Sequence, residues 1–147
     1  LGQSLERNAT MRKLMKKRAE DGTPIYAECG GLMYLTKSIS FGKKRYKMVG
    51  LFDAETQMTE KMTLNYTEGR IRSRCIVSAP AKFHAHEFHY SKIRNLPRDA
   101  KLIYELKIGE GIAGKKDALS EYNTLASYCH LYFDSAKYAT NLVSKRV

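Results

Sequence analysis

Residues 24–35, P-I-Y-A-E-C-G-G-L-M-Y-L, constrain this chain more than any other stretch. Pro24, Ile25, Tyr26 and Ala27 read as a short buried strand, and Glu28, Cys29, Gly30 and Gly31 as a tight turn. Leu32, Met33, Tyr34 and Leu35 open an apolar helix. A strand, a sharp turn that carries a nucleophile and a helix make a nucleophile elbow. Glycines beside the nucleophile let the backbone turn tightly and leave the side chain accessible. The free N–H groups of a helix start favour a thiolate and a developing oxyanion. The competing reading is a buried structural cysteine in a strand-to-helix turn.

The length, 147 residues, suits one domain, and an apolar fraction of 43% allows a real core. No run of 18 apolar residues predicts a membrane span, and no signal segment opens the chain. The first residue, Leu1, suggests a fragment or a processed chain. Cys29, Cys75 and Cys129 are odd in number and widely spaced, which argues against a disulfide framework or zinc ribbon and for a reducing, cytoplasmic setting.

The formal charge of +11 raises a nucleic-acid partner, an anionic substrate or a basic surface. Dense basic clusters occur only at residues 12–18 and 43–47, and Arg70, Arg72 and Arg74 alternate as if on one strand face. No finger spacing, RNP pattern or heptad accompanies them. A solvated face is expected, with no nucleic acid and no membrane as partner.

Asn8 is placed to cap an amphipathic helix that runs to about Asp21, where Gly22 and Pro24 end it. The elbow helix is expected to reach about Ser40, a basic turn to fill residues 41–47 and a strand residues 48–52. Residues 66–77 read as paired strands turning at Glu68-Gly69, within a β-rich excursion over residues 48–77. Residues 102–108 are a further strand. Residues 123–133 look like a buried strand ending near His130, with a last helix from Asp134 or Ser135.

Residues 83–91, F-H-A-H-E-F-H-Y-S, hold three of the four histidines. On a strand His84, His86 and Phe88 face one way and Ala85, Glu87 and His89 the other. His84 and His86 could chelate together, but no third ligand is evident, so no metal site is assigned. Gly109, Gly114 and Lys115 match the start of a phosphate-binding loop. Lys116 stands where that loop needs a hydroxyl, so a glycine-rich hairpin turn is the better reading.

A cysteine nucleophile needs a base, usually a histidine distant in sequence. His130, at the end of its own apolar strand, is one candidate; His84, His86 and His89 are the others.

Three blocks, P-I-Y-A-E-C-G-G-L-M-Y-L, H-E-F-H-Y-S and A-S-Y-C-H-L-Y-F, occur in that order. Together they resemble the glutamine amidotransferase domain of the cobyrinate a,c-diamide synthases, from roughly residue 8 to residue 135. The resemblance implies an α/β fold, flavodoxin-like in its class I amidotransferase variant, with a mostly parallel sheet flanked by helices. It implies that Cys29 attacks the side-chain amide of glutamine, that His130 activates the thiol and protonates the departing ammonia, and that the Gly30 N–H donates to the oxyanion. Glu28, Gly31, Glu87 and His89 would line the site. Ammonia would pass to a separate ATP-binding synthetase domain, where magnesium and ATP activate carboxylates of a tetrapyrrole for amidation at positions a and c. The tetrapyrrole could be cobyrinate with or without cobalt, or nickel-sirohydrochlorin.

Many class I amidotransferases carry a glutamate two residues after the histidine; here that position is Tyr132. A Cys-His dyad is expected, assisted by Glu87 or another group. In the family an ATP-binding domain and the first strands of the amidotransferase domain come before this region. Residues 1–147 are therefore expected to be the C-terminal part of such a domain, with magnesium and ATP bound outside it, a homodimer compatible with it, and no diamide made by it alone. The alternatives are another Cys-His amide hydrolase and a catalytically silent, basic binding module.

Overall fold

The computed structural model describes residues 1–73, 75–77 and 82–132. The expected last helix, from residue 134 or 135, and Arg74 lie outside the described residues.

Two helices lead the chain, α1 (Gly2–Arg7) and α2 (Ala9–Glu20). Asn8 caps α2 as its sequence promises: its side-chain oxygen accepts from Met11 N at 3.1 Å, satisfying one of the donors a helix start leaves free. The chain then enters β1 (Ile25–Glu28), α3 (Gly30–Leu35), β2 (Ser38–Phe41) and β3 (Lys44–Lys47). Six strands follow: β4 (Glu55–Ile71), β5 (Lys82–Arg94), β6 (Leu102–Ile108), β7 (Lys116–Glu121), β8 (Thr124–Ser127) and β9 (His130–Leu131).

The nine strands among the described residues join one sheet, ordered β1-β8-β7-β6-β4-β2-β3, with β5 pairing β4 and β9. The α/β class with flanking helices holds. The pairing, however, is mixed rather than mostly parallel: β1·β8 and β2·β4 are parallel, and the remaining described pairs are antiparallel. Short turns such as Tyr122-Asn123 between β7 and β8 permit only antiparallel neighbours.

Successive residues of the central strands feed two apolar layers, as a period of two requires. Leu119 and Ala126 join Ala19 of α2, Leu32, Met33 and Leu35 of α3, and Val49, Leu51 and Phe52. Ala118 and Leu125 join Val77, Phe83, Tyr104, Leu106 and Cys129. The strands next to the elbow are therefore covered on both sides.

Four local expectations are corrected. The elbow helix stops at Leu35 rather than near Ser40, and residues 48–52 are not a strand. The reason is shared: Val49 N donates to Tyr34 O, and both Leu51 N and Phe52 N donate to Leu35 O. This segment thus satisfies the carbonyls that α3 leaves open at its C-terminus. The basic stretch 41–47 is mostly hairpin, β2 against β3, not a turn throughout. Finally, β4 runs straight through Glu68-Gly69. A Cβ on Gly69 would lie 2.5 Å from the Phe83 ring and 2.9 Å from Leu106, so this glycine permits close packing inside a strand rather than a reversal. Arg72 has left β4 and pairs with Glu105.

Candidate active site

β1 and β8 lie parallel, with Glu28 opposite Ser127. Cys29 follows Glu28 directly, and its N–H extends the ladder by donating to Ser127 O at 2.8 Å. The chain then turns abruptly: Cys29 adopts φ 47°, ψ −101°, a region that L-residues other than glycine seldom enter. Its carbonyl accepts from Met33 N at 3.0 Å and so starts α3. This is the elbow geometry the sequence predicted, with the strain centred on the cysteine itself.

The two glycines after it do different work. A Cβ on Gly31 would come 2.9 Å from Ala27 Cβ, so Gly31 lets α3 pack against β1. A Cβ on Gly30 would meet nothing within 4 Å, so this position is not needed for packing.

Cys29 is half-buried. Its thiol donates to the Phe88 carbonyl at 3.5 Å. Burial pushes its pKa above the ordinary thiol value; the Gly30 N–H, donating toward the sulfur, opposes this, and the Glu28 carboxylate reinforces it. The helix start therefore does not by itself make a thiolate here. A base is needed.

His130 begins β9, three residues beyond the end of β8, so it and Cys29 emerge at the C-terminal ends of paired parallel strands. It is half-buried and lies opposite His86 of β5. Its Nδ1 is 3.3 Å from the His86 carbonyl. A carbonyl only accepts, so this contact is a hydrogen bond in the tautomer that carries the proton on Nδ1, the one that leaves the Nε2 lone pair free. The two imidazoles stack, centroids 4.6 Å apart and planes within 5°. Tyr132 lies on the other candidate-triad position and tilts against His86 at 5.6 Å.

The turn from β8 into His130 is held on all sides. Asp117, fully buried, accepts from Tyr128 N at 3.1 Å and Cys129 N at 2.8 Å. Ser127 Oγ donates to Cys129 O at 2.7 Å. Glu28 accepts from Leu131 N at 3.0 Å and from the Tyr26 hydroxyl at 2.6 Å.

Glu87 and His89 lie on the inward face of β5, and His84 on its outward face. Glu87 points away from His86, into the interior, as strand alternation requires. It accepts from Asn65 Nδ2 at 3.1 Å, Glu110 N at 3.0 Å and Gly111 N at 2.6 Å. It touches the residue before His130, Cys129, at 4.0 Å, and among the described residues it makes no hydrogen bond to the imidazole. His89 is buried against Tyr128, ring centroids 3.7 Å apart, with Nδ1–H donating to Ser91 O at 3.0 Å; burial pushes its pKa down. His84 is exposed.

Two carboxylates and a thiol, Glu87, Asp117 and Cys129, approach within 4.8 Å of one another in the interior. Each oxygen of both carboxylates already accepts a backbone N–H, and one Glu87 oxygen accepts from Asn65 as well, so this group serves as internal scaffolding behind His130. Sequence reasoning missed Asp117 and the His86 carbonyl. Asp117 left one trace, a lone acid in line with the apolar residues of K-K-D-A-L; a main-chain carbonyl leaves none.

Against known proteins, residues 2–138 match the CobB/CobQ-like glutamine amidotransferase domain. The chain is 46% identical over 134 residues to a cobyrinate a,c-diamide synthase of Sulfurisphaera tokodaii, covering 90% of this chain and 30% of that protein. It is 40% identical over 142 residues to the protein of the same name from Methanosarcina barkeri, covering 87% and 29%. The chain thus spans about a third of the length of the curated relatives it matches. In fold it is similar to a crystal structure of a glutamine amidotransferase, with a TM-score of 0.60 at 18% identity, over 86% of this chain and 62% of that one. A glutamine amidotransferase from Thermotoga maritima gives a TM-score of 0.54 at 13% identity, over 82% and 46%. With its elbow, its parallel strand pair and a family match over nearly its whole length, the chain belongs to the CobB/CobQ-like glutamine amidotransferase domains.

Proposed function

We propose that this chain is the glutaminase part of an ATP-dependent synthase that amidates the a and c carboxylates of a tetrapyrrole in cobalamin or related tetrapyrrole biosynthesis. The observation that carries the chemistry is the placement of a strained Cys29 and of His130, its Nδ1 against the His86 carbonyl, at the ends of β1 and β8. In this reading His130 Nε2 takes the thiol proton as Cys29 Sγ bonds to the amide carbon of glutamine. The Gly30 N–H, already directed to the sulfur, donates to the carbonyl oxygen as it becomes negative. The tetrahedral adduct collapses, the C–N bond breaks, and the imidazolium returns its proton to the leaving nitrogen as ammonia departs. Water then attacks the γ-glutamyl thioester, with His130 accepting its proton, and glutamate and free Cys29 result.

Magnesium and ATP are assigned to the remainder of such a synthase. The glycine-rich turn after β6 does not suit a nucleotide. The N–H groups of Glu110 and Gly111 already donate to Glu87, and Lys116 replaces the hydroxyl that would hold magnesium.

The ammonia-receiving synthetase domain is placed on the outward face of β4 and β5 beside Cys29. There Met62, Leu64, Tyr66, Phe88 and Tyr90 are 41–82% exposed, an apolar and aromatic composition typical of interface cores. A basic chain of net charge +11 suits a polycarboxylate substrate, and three free cysteines suit the cytoplasm.

Labelling with a diazo-ketone glutamine analogue, read by intact mass and peptide mapping, tests this reading. An adduct on Cys29 that disappears in Cys29→Ala and slows in His130→Ala is expected. A folded chain that takes no adduct, alone or joined to the synthetase part of a relative, overturns it in favour of a silent binding module.

A further inference from the structure

In a Cys-His-acid triad a carboxylate accepts the Nδ1 proton of the histidine, which fixes its tautomer and aims Nε2 at the nucleophile. Here the residue two beyond His130 is Tyr132, and Glu87 turns its carboxylate into the interior. The Nδ1 partner among the described residues is the main-chain oxygen of His86, at 3.3 Å.

The same residue makes a second contact. The His86 ring lies 4.6 Å from the His130 ring and within 5° of parallel, and Tyr132 packs against His86 at 5.6 Å. Register explains why: His86 and His130 are direct cross-strand partners, so their side chains leave the same face of the sheet. An imidazole pressed against a flat ring loses its freedom to rotate about χ2, a torsion that is otherwise broad.

We propose that His86 is the positioning residue for His130, its main-chain carbonyl setting the tautomer and its ring setting the plane of the imidazole, in the place that a triad acid fills in other enzymes. This rests on the glutaminase reading above. It explains how Tyr132 can replace an acid without loss of the base, and it gives the first histidine of H-E-F-H-Y-S a role through contact with another side chain rather than with substrate.

Two measurements on the full 147-residue chain decide it. The first needs no glutamine. Two-bond 1H–15N spectra of the histidine rings, assigned with His130→Ala, are expected to show His130 as the Nδ1–H tautomer when neutral; the Nε2–H tautomer overturns the proposal. The second follows Cys29 labelling by the glutamine analogue at rising concentration. His86→Ala keeps the carbonyl but removes the ring. It is expected to lower the maximal labelling rate about tenfold to hundredfold while changing the half-saturating concentration by less than about threefold. His86→Phe, which restores a flat ring, is expected to regain most of that rate. Equal rates for His86→Ala and the parent overturn the proposal, as does a His86→Phe variant as slow as His86→Ala. A parent chain that takes no label, alone or joined to the synthetase part of a relative, overturns the glutaminase reading, while the tautomer still decides whether the His86 carbonyl holds Nδ1.

Discussion

The carboxylate of Glu28, directly before Cys29, accepts a hydrogen bond from the backbone N–H of Leu131, directly after His130, at 3.0 Å. One side chain thus ties the strand that carries the sulfur to the strand that carries the imidazole. Glu28→Ala leaves a half-buried N–H without its acceptor, a loss of about 1–3 kcal/mol. Urea unfolding is expected to show that loss, and Cys29 labelling by a glutamine analogue is expected to slow with it. Glu28→Gln keeps an acceptor oxygen and is expected to retain most of the stability. Parent-like stability of the alanine variant contradicts the tie.

Asp117 carries two such bonds, to Tyr128 N and Cys129 N, in the break between β8 and His130. Asp117→Ala orphans both N–H groups in a fully buried site and is expected to cost roughly 2–6 kcal/mol. Asp117→Asn restores one acceptor and sets an NH2 group against the other N–H, so an intermediate loss is expected. Urea midpoints give the ranking, and amide exchange at residues 128 and 129 locates it; unchanged protection at those amides contradicts the anchor.

The two elbow glycines separate packing from chemistry. Gly31→Ala forces a methyl to 2.9 Å from Ala27 Cβ and is expected to destabilise by about 1–3 kcal/mol. Gly30→Ala meets open space and is expected to fold with near-parent stability. Its methyl is added beside the proposed oxyanion donor, the Gly30 N–H, so analogue labelling is expected to drop at least tenfold. Thermal melts beside labelling rates test the split, and a reversed order contradicts it.

Burial and the Glu28 carboxylate both favour the neutral thiol of Cys29, and only the Gly30 N–H opposes them. The folded pKa lies above the unfolded one. The stability this contributes is full below the unfolded thiol value and is lost as pH rises through the folded value. Alkylation by iodoacetamide is therefore expected to rise with pH to a midpoint above that of the urea-unfolded chain. A plateau of high reactivity at neutral pH would show instead a resting thiolate-imidazolium pair.

The elbow was legible because its features are local: an apolar strand, glycines and an apolar helix start within twelve residues. The facing of His84, His86 and Phe88 away from Ala85, Glu87 and His89 was legible too, since it follows from a period of two alone. What escaped was non-local. The end of α3 is set by a segment 14 to 17 residues on from Leu35 to Phe52, and Gly69 answers to Phe83 and Leu106 rather than to its neighbours. The sheet's mixed pairing likewise depends on which strands meet, which short runs of apolar residues do not encode. The hold of Glu87 on the glycine-rich turn escaped as well, a pairing of residues 23 and 24 apart in sequence.

One strand, β5, reaches both reacting groups: the His86 carbonyl holds the imidazole, and two residues on the Phe88 carbonyl receives the thiol. The distance between those carbonyls is the rise of two extended residues, about 6.7 Å. β5 therefore acts as a ruler laid across the site. Its partner β4 can carry extra residues, and does so between Met58 and Thr63, opposite the step from Ser91 to His89. A single residue gained or lost between His86 and Phe88 would do more than lengthen the gap. It would turn one of the two carbonyls to the other edge of the strand and leave either acid or base without its rest.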